Sequence, residues 1–220
     1  MNLDFRFMKN WKRGLIKLVR PELEKLDVGH GIEHSLRVYK NCEKIAKYYQ
    51  KVNLDALYAS ALLHDIGQTV KHFDEHSYNS IILAKKYLKN VQFPEKNIFL
   101  VEEIIKRHDD YTWVKKHSNN KPKNLEVRIF QDADRLETIG AIGIARNFIW
   151  AGKHDKKSWD NKKRWKRDKI FGGNISVIHT IDAELQIYKN LNTKVAKKMA
   201  KEKHEFYKLF LKQFFKEWKQ

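Results

Sequence analysis

Apolar residues recur along most of the chain at the three- and four-residue spacing of an amphipathic helix. In the segment that begins at His34, for example, Val38 and Ile45 share one stripe, and the lysines lie largely elsewhere. Asn53 can cap the helix that follows, and Gly67 can end it. The pattern predicts an all-α fold with helices over residues 34–51, 53–67, 78–88, 94–107, 126–150, 176–191 and 193–218.

The composition agrees with a single folded domain built from these helices. Of the 220 residues, 42% are hydrophobic, which suits a globule with a sizeable core. Nine glycines and three prolines leave little material for the many tight turns of a β-rich fold. We predict one domain over residues 1–220, with its core at 22–150 and its central helix at 126–150. A basic exposed loop at 152–173 then leads to C-terminal helices at 174–220 that pack on the core.

The chain is strongly basic, with a formal net charge of +18 from 45 Lys and Arg against 27 Asp and Glu. Such an excess attracts anionic partners, whether nucleotides, nucleic acid or acidic lipid. Most of the cations are lysines spread over nearly every segment, so a solvated lysine-rich surface also explains them. Residues 1–19 are basic and amphipathic, and we interpret them as a helix of the protein rather than a signal peptide.

Cysteine content and hydropathy indicate a cytoplasmic protein. Cys42 is the only cysteine, which excludes an intramolecular disulfide and a cysteine-based zinc site. A lone thiol suits a reducing compartment, so we expect the protein in the cytoplasm. No apolar run reaches the roughly 20 residues that span a bilayer, and we therefore expect no membrane partner.

Histidines and aspartates are set among apolar residues in three of the predicted helices. His64-Asp65 ends the second helix, His34 lies on the apolar stripe of the first, and Asp132 and Asp134 lie in the fifth. Each residue alone has an ordinary structural explanation. Together, their imidazole and carboxylate groups form a ligand set suited to a divalent transition metal, which would explain carboxylates in apolar helices. Periodicity does not decide between Asp132 and Asp134, because both have apolar neighbours one turn away.

The sequence around these positions resembles the H…HD…D signature of the HD-domain metal-dependent phosphohydrolase superfamily. The likeness includes HGIEHSLRV at 30–38, ALLHDIG at 61–67 and QDADRLETIGAIGIAR at 131–146, and it continues into residues 192–218. It covers nearly the whole chain and points to a small single-domain bacterial branch of the superfamily. The resemblance implies an all-α HD domain with a metal site in the centre of the helical bundle.

The resemblance also implies a function. Members of the superfamily hydrolyse phosphate esters or anhydrides with water that a divalent cation activates. Some relatives in this branch release pyrophosphate from nucleoside triphosphates with Mn²⁺. We therefore expect a small phosphorylated substrate, a nucleotide first of all, and Mn²⁺ as the cation, with Mg²⁺, Ni²⁺, Fe²⁺ and Co²⁺ as alternatives.

Individual residues acquire expected roles by the same resemblance. The metal ligands would be His34, His64, Asp65 and Asp134, the last favoured over Asp132 by its Ala-Asp-Arg-Leu context. Asp65 or Asp132 would accept the proton of the attacking water, and Asp132 could instead cap a helix or bond a ligand histidine. His30 and Glu137 would orient the ligands, although Glu137 stands where an Asp is usual. Substrate contacts would come from Arg37, Gln68, Lys106, His108 and Arg135.

Several of these residues have alternative interpretations. Gln68 occupies a place that is charged in many relatives. His108 could bind substrate phosphate or a second metal, or simply end a helix, and Arg135 could pair with Glu137 or Asp132 instead of substrate. The remaining histidines are interpreted as surface or structural residues: His72, His76, His117, His154, His179 and His204. The four-residue spacing of His72 and His76 is also compatible with a metal on a helix.

Other functions fit parts of the same sequence. A 5′-nucleotidase or an enzyme that cleaves a guanosine alarmone would use the same ligands and differ in its product. A nucleic-acid-binding module would use the basic loop, with Trp159 and Trp165 for stacking on bases. A metal-bound interaction protein without catalysis is the third alternative, and the presence of all four ligands argues against it. The sequence leaves the oligomeric state open, and a homodimer is compatible with it.

Overall fold

The computed structural model describes residues 9–27, 29–70, 76–110, 122–161 and 176–218. These residues form helices joined by turns, and no β-strand occurs among them, so the prediction of an all-α fold is confirmed. The α-helices are α1 (Asn10–Leu23), α2 (Ile32–Ala46), α3 (Leu54–Leu63), α4 (His76–Asn90), α5 (Ile98–Arg107), α6 (Leu125–Arg135), α7 (Gly140–Lys153), α8 (Val177–Glu184), α9 (Ile187–Asn190) and α10 (Lys194–Trp218). Within this part of the chain, no helix is both long and apolar enough to cross a membrane.

Helix α3 forms the centre of the fold. Its sequence is apolar on all sides, and every residue from Ala56 to Leu63 is buried. A helix without a polar face must be covered all round, and α1, α2, α4, α5 and α6 pack against it. Asn53 caps this helix as predicted, because its side chain accepts a hydrogen bond from the Ala56 N–H group at 3.0 Å. The prediction that residues 126–150 form the central helix is therefore wrong.

Residues 126–150 also do not form one helix. They belong to α6 and α7, which are separated by a turn at 136–139. Gly140 begins α7 with a φ of +82°, a left-handed conformation that glycine adopts without strain. Lys203 and Tyr207 of α10 donate hydrogen bonds to three carbonyl groups of the turn. A distant helix thus satisfies the carbonyl groups that the break frees.

The C-terminal helices pack on α7. Helix α10 lies along α7 and also contacts α8 and α9. The described part of the basic loop is tied to the start of α8, because the Val177 and Ile178 N–H groups donate to the carbonyl groups of Lys157 and Ser158. The rest of the predicted basic loop, residues 162–173, lies outside the described residues.

Candidate metal centre

The His64-Asp65 pair follows the end of α3, where the chain turns towards α4. Gly67 allows the close approach of α4, since a Cβ atom there would lie 2.2 Å from the His76 carbonyl oxygen. Ser80 of α4 fixes the turn, because its hydroxyl donates to the His64 carbonyl at 2.6 Å and accepts from the Gly67 N–H at 2.8 Å. The sequence interpretation missed this buried serine. The two candidate ligands are therefore held by hydrogen bonds as well as by packing.

Four side chains from three regions of the chain meet at this point. His34 projects from α2 and Asp134 from α6, and their atoms Nε2 and Oδ1 are 3.3 Å apart. Asp65 Oδ2 lies 3.1 Å from His64 Nε2 and 3.8 Å from His34 Nε2. None of the four side chains is more than 9% exposed. The structure thus brings together all four metal ligands that the sequence predicts.

The donor atoms of this cluster suit a divalent cation. His64 Nδ1 lies 3.1 Å from the Ala61 carbonyl oxygen, which can only accept, so Nδ1 carries a proton. In the neutral ring, which is the form that binds metal, the lone pair of Nε2 then faces the cluster, where this buried atom has no hydrogen-bond partner among the described residues. One donor atom each from His34, His64 and Asp65 lies within 4.8 Å of the other two. A cation bound there would satisfy the orphaned nitrogen and the adjacent carboxylates.

The electrostatics of the buried cluster also indicate that it requires a bound positive charge. Burial would lower the pKa of His64, but the Asp65 carboxylate beside it raises that pKa to about 9. Burial would raise the pKa of Asp65, but His64 holds it well below its usual range. Burial would raise the pKa of Asp134, but the hydrogen bond with His34 and the charges of His34, His64 and His108 together lower it. The carboxylates attract positive charge to this site, and a metal ion can supply it in place of imidazole protons.

Glu137 lies behind His34, on the side away from Asp65 and Asp134. Its Oε2 atom is 3.9 Å from His34 Nδ1 and accepts a hydrogen bond from Arg37 Nε. Asn41 donates to Oε1 at 3.4 Å. Burial would raise the pKa of Glu137, but His34 and Arg37 lower it to about 2, so it is a carboxylate at neutral pH. This arrangement can orient the imidazole of His34, which is the role expected from the sequence.

Three of the predicted substrate residues lie in different environments. Gln68 Nε2 donates to Asp65 Oδ1 at 2.8 Å, so this residue orients a ligand in the structure. Arg37 is occupied at Nε by Glu137 and is 29% exposed. Lys106 is exposed on α5. The substrate contacts of Arg37 and Lys106 stay predictions, and for Gln68 we replace the expected substrate contact by a positioning role.

His108 and His76 extend the cluster on the side of α4 and α5. The His108 ring donates from Nδ1 to the Ile105 carbonyl at 2.6 Å, and its Nε2 lies 3.9 Å from Asp65 Oδ1. The His76 ring centroid is 5.3 Å from that of His108. Asp65, His76 and His108 form a second group with metal-ligand spacing that shares Asp65 with the first. The sequence interpretation of His76 as a surface or structural residue did not anticipate this proximity, and His72 and His117 lie outside the described residues.

Asp132 and Arg135 do not face the cluster. The Asp132 carboxylate accepts hydrogen bonds from the Asn192 and Thr193 N–H groups, both at 2.7 Å. Both oxygen atoms are thereby occupied, which contradicts the catalytic role expected from the sequence and indicates a structural one. The buried Arg135 guanidinium donates to the carbonyl groups of Asp110 and Asn190, so the expected substrate contact is also wrong.

His30 lies at the edge of the cluster, one helical turn before His34. The two rings are 6.4 Å apart, and the Nδ1 atom of His30 pairs with Asp27 at 2.9 Å. No hydrogen bond joins His30 to His34 among the described residues. The orienting role expected for His30 is therefore not supported, and Glu137 is the residue placed to fill it.

Comparisons with known proteins agree with this all-α metal-site architecture. Residues 31–139, about half of the chain, match the HD domain family. The chain is 26% identical over 195 residues to the Bacillus subtilis protein YpgQ, covering 86% of this chain and 84% of that protein. Over 122 residues it is 30% identical to the dihydroneopterin 2′,3′-cyclic phosphate phosphodiesterase of Methanocaldococcus jannaschii, covering 49% of this chain and 45% of the relative.

Solved structures show the same fold over nearly the full length. A Lactobacillus plantarum protein superposes with a TM-score of 0.79 at 25% identity, covering 97% of this chain and 99% of the other. An HD-superfamily hydrolase from Bacillus thuringiensis gives a TM-score of 0.68 at 25% identity and covers 94% and 96%. YpgQ in complex with ADP gives a TM-score of 0.68 at 22% identity and covers 94% of each chain.

Fold, ligand cluster and comparisons together define the class of protein. It is an all-α hydrolase with a central site of imidazole and carboxylate groups for a divalent metal. The chain belongs to the HD-domain superfamily and is a metal-dependent phosphohydrolase.

Proposed function

We propose that this protein hydrolyses nucleotides in a metal-dependent reaction, releasing a nucleoside monophosphate and pyrophosphate from a nucleoside triphosphate. The observation that carries the proposal is the buried cluster of His34, His64, Asp65 and Asp134, in which His64 Nε2 has no hydrogen-bond partner among the described residues. The nucleotide as substrate is supported by YpgQ, which shares the fold and whose structure contains ADP.

The cluster and the adjacent His108 would contribute to the reaction in different ways. A divalent cation on these ligands would acidify a water molecule and offset the negative charge of the phosphoryl group. Asp65 would accept the proton of the attacking water, because its Oδ1 atom is held by Gln68 and points towards the side of His108. His108 Nε2, at 3.9 Å from that oxygen, would hold a second, weaker cation beside the phosphoryl group, together with His76 and Asp65.

Hydrolysis by purified protein tests the proposal. Protein stripped of metal and then supplied with Mn²⁺ would be incubated with nucleoside triphosphates, diphosphates, monophosphates and simple phosphate esters, and the products identified. We expect pyrophosphate from triphosphates, and a loss of at least 100-fold in Asp65→Ala. Asp55→Ala is the matched control, since it removes a carboxylate at the opposite end of α3. No hydrolysis by wild type, or equal activity in both variants, would refute the proposal.

A second phosphohydrolase activity is favoured by one comparison. The Methanocaldococcus jannaschii relative is named for cleavage of a 2′,3′-cyclic phosphate, a phosphodiester. A nucleoside 2′,3′-cyclic phosphate therefore belongs in the same panel. Opening of the cyclic phosphate without pyrophosphate release from triphosphates would show that the cyclic phosphate is the substrate instead of the triphosphate. Orthophosphate release from monophosphates would indicate a 5′-nucleotidase.

The nucleic-acid-binding alternative has less support. Trp159 packs against the rings of His179 and Phe215, at 4.5 and 5.1 Å between centroids, so it is not presented for stacking on bases. Trp165 lies outside the described residues. Oligonucleotide binding that survives His64→Ala and weakens steeply with salt would favour this alternative. Mn²⁺ as the native cation and the cytoplasm as the compartment remain predictions, and the oligomeric state remains open.

A further inference from the structure

A turn before α2 holds a histidine and a carboxylate that the catalytic cluster does not use. The Asp27 carboxylate accepts hydrogen bonds from the Gly29 N–H and from His30 Nδ1, both at 2.9 Å. The hydrogen bond with His30 and the charges around it lower the pKa of Asp27 to about 2, so it is an anion at neutral pH. Lys153 of α7 lies 3.7 Å from the same carboxylate. His30 is therefore fixed in orientation by its Nδ1 atom.

The other ring nitrogen of His30 is available to a ligand. Among the described residues, only Asp27 forms a hydrogen bond with this ring. The His30 side chain is 29% exposed, whereas that of His34, one turn further on, is 1% exposed. The negative charge of Asp65 acts on His30, which places His30 beside the catalytic cluster and nearer to solvent. A phosphorylated molecule held in the cluster would therefore extend past His30.

Arg146 of α7 faces the same turn. A Cβ atom on Gly29 would lie 3.6 Å from Arg146 Nε. The Nη1 atom of Arg146 is buried and has no hydrogen-bond partner among the described residues. A buried guanidinium N–H without an acceptor is costly, and guanidinium groups match the geometry of phosphate oxygens. The sequence interpretation did not assign any role to Arg146.

We propose that His30 and Arg146 form a subsite for the leaving phosphates of the substrate, next to the metal centre. This inference rests on the proposed function, because it assigns the pyrophosphate end of a nucleoside triphosphate to the subsite. His30 in its imidazolium form would donate from Nε2 while Nδ1 donates to Asp27. The charged groups around it are Asp27, Asp65, Arg146 and Lys153, and burial opposes its charging while Asp27 and Asp65 raise its pKa.

The subsite predicts a selective effect on substrates. The pyrophosphate leaving group of a nucleoside triphosphate would occupy the subsite, whereas the nitrophenolate leaving group of a nucleoside monophosphate nitrophenyl ester has no phosphate and would not. We expect His30→Gln and Arg146→Met each to lower kcat/KM for the triphosphate by about 10- to 100-fold, which corresponds to the loss of one charge-assisted hydrogen bond. The same variants should change kcat/KM for the nitrophenyl ester less than threefold. Arg20→Met is the matched control, since it removes an exposed arginine of α1.

Direct binding separates this inference from the proposed function. Calorimetric titration of the Mn²⁺-loaded protein would use inorganic pyrophosphate and orthophosphate as probes. We expect wild type and Arg20→Met to bind pyrophosphate more tightly than orthophosphate, and both subsite variants to lose about tenfold for pyrophosphate with unchanged Mn²⁺ affinity. Pyrophosphate binding that survives both substitutions would overturn the subsite. Absence of hydrolysis by wild type, with this binding pattern intact, would overturn the proposed function alone.

Discussion

Replacing Asp132 by alanine should destabilise the fold while leaving the metal centre able to bind its cation. The carboxylate is fully buried and accepts hydrogen bonds from the Asn192 and Thr193 N–H groups, both at 2.7 Å. These bonds join α6 to the turn before α10, where the Thr193 hydroxyl in turn accepts from the Ala196 N–H. Asp132 therefore connects the C-terminal helices to the helix that carries Asp134.

The size of the effect follows from these two hydrogen bonds. A hydrogen bond to a charged group contributes about 1.5–3 kcal/mol, and alanine would leave both N–H groups without an acceptor. Burial raises the pKa of Asp132, which shows that desolvation of the carboxylate offsets part of this stabilisation. We expect a loss of about 4 kcal/mol for Asp132→Ala and about half of that for Asp132→Asn, which retains one oxygen acceptor.

Urea unfolding followed by circular dichroism measures the loss. With a slope of about 3 kcal/mol per molar urea, the midpoint of Asp132→Ala should fall by roughly 1.3 M. Glu202→Ala, which removes an exposed carboxylate from α10, should stay within about 0.2 M of wild type. Folded Asp132→Ala should keep the Mn²⁺ affinity of wild type. A midpoint shift below about 0.3 M together with lost Mn²⁺ binding would show that Asp132 serves the metal centre, and the reasoning would be refuted.

Three further predictions follow from individual contacts. Gln68→Ala should weaken Mn²⁺ binding about tenfold in equilibrium dialysis, because Asp65 loses the hydrogen bond that orients it; unchanged affinity would contradict this. His76→Ala should abolish a second, weaker Mn²⁺ and keep the first, and a single Mn²⁺ in wild type would refute it. Glu184 is buried, which raises its pKa to about 7, so the folded state binds its proton more tightly than the unfolded state. Relative to Glu184→Gln, wild type should therefore lose up to about 3 kcal/mol between pH 4.5 and 7, as urea unfolding at pH 5 and 8 would show; parallel behaviour of the two proteins would contradict it.

The helices could be predicted from the sequence because their signals are local. The spacing of apolar residues and the cap at Asn53 act within one or two turns of the chain. The break between α6 and α7 could not be predicted in this way, because Lys203 and Tyr207 stabilise it from more than 60 residues away. Gly140 is a signal for the break, but the small residues around it also suit an uninterrupted helix in close packing.

The candidate site was predictable in part for the same reason. His34, His64, Asp65 and Asp134 carry a recognisable pattern in their neighbours, and the structure brings them together. Asp132 has equally apolar neighbours, and its structural role follows only from its contact with the turn before α10.

Two residues near the centre make contacts that their sequence neighbours do not reveal. His76 meets His108 only because α4 and α5 pack together, and Arg146 meets the turn of His30 only because α7 returns to the start of α2. Contacts of this kind depend on the tertiary structure.

The central claim is that imidazole and carboxylate groups from α2, α6 and the end of α3 hold one cation in common. Mn²⁺ binding to EDTA-stripped protein, followed by the electron paramagnetic resonance signal of free Mn²⁺, tests it most directly. Wild type and Asp55→Ala should each bind one Mn²⁺ tightly, and His64→Ala and Asp65→Ala, shown to be folded, should bind it at least about 100-fold more weakly. Equal Mn²⁺ affinity in all four proteins would contradict the account.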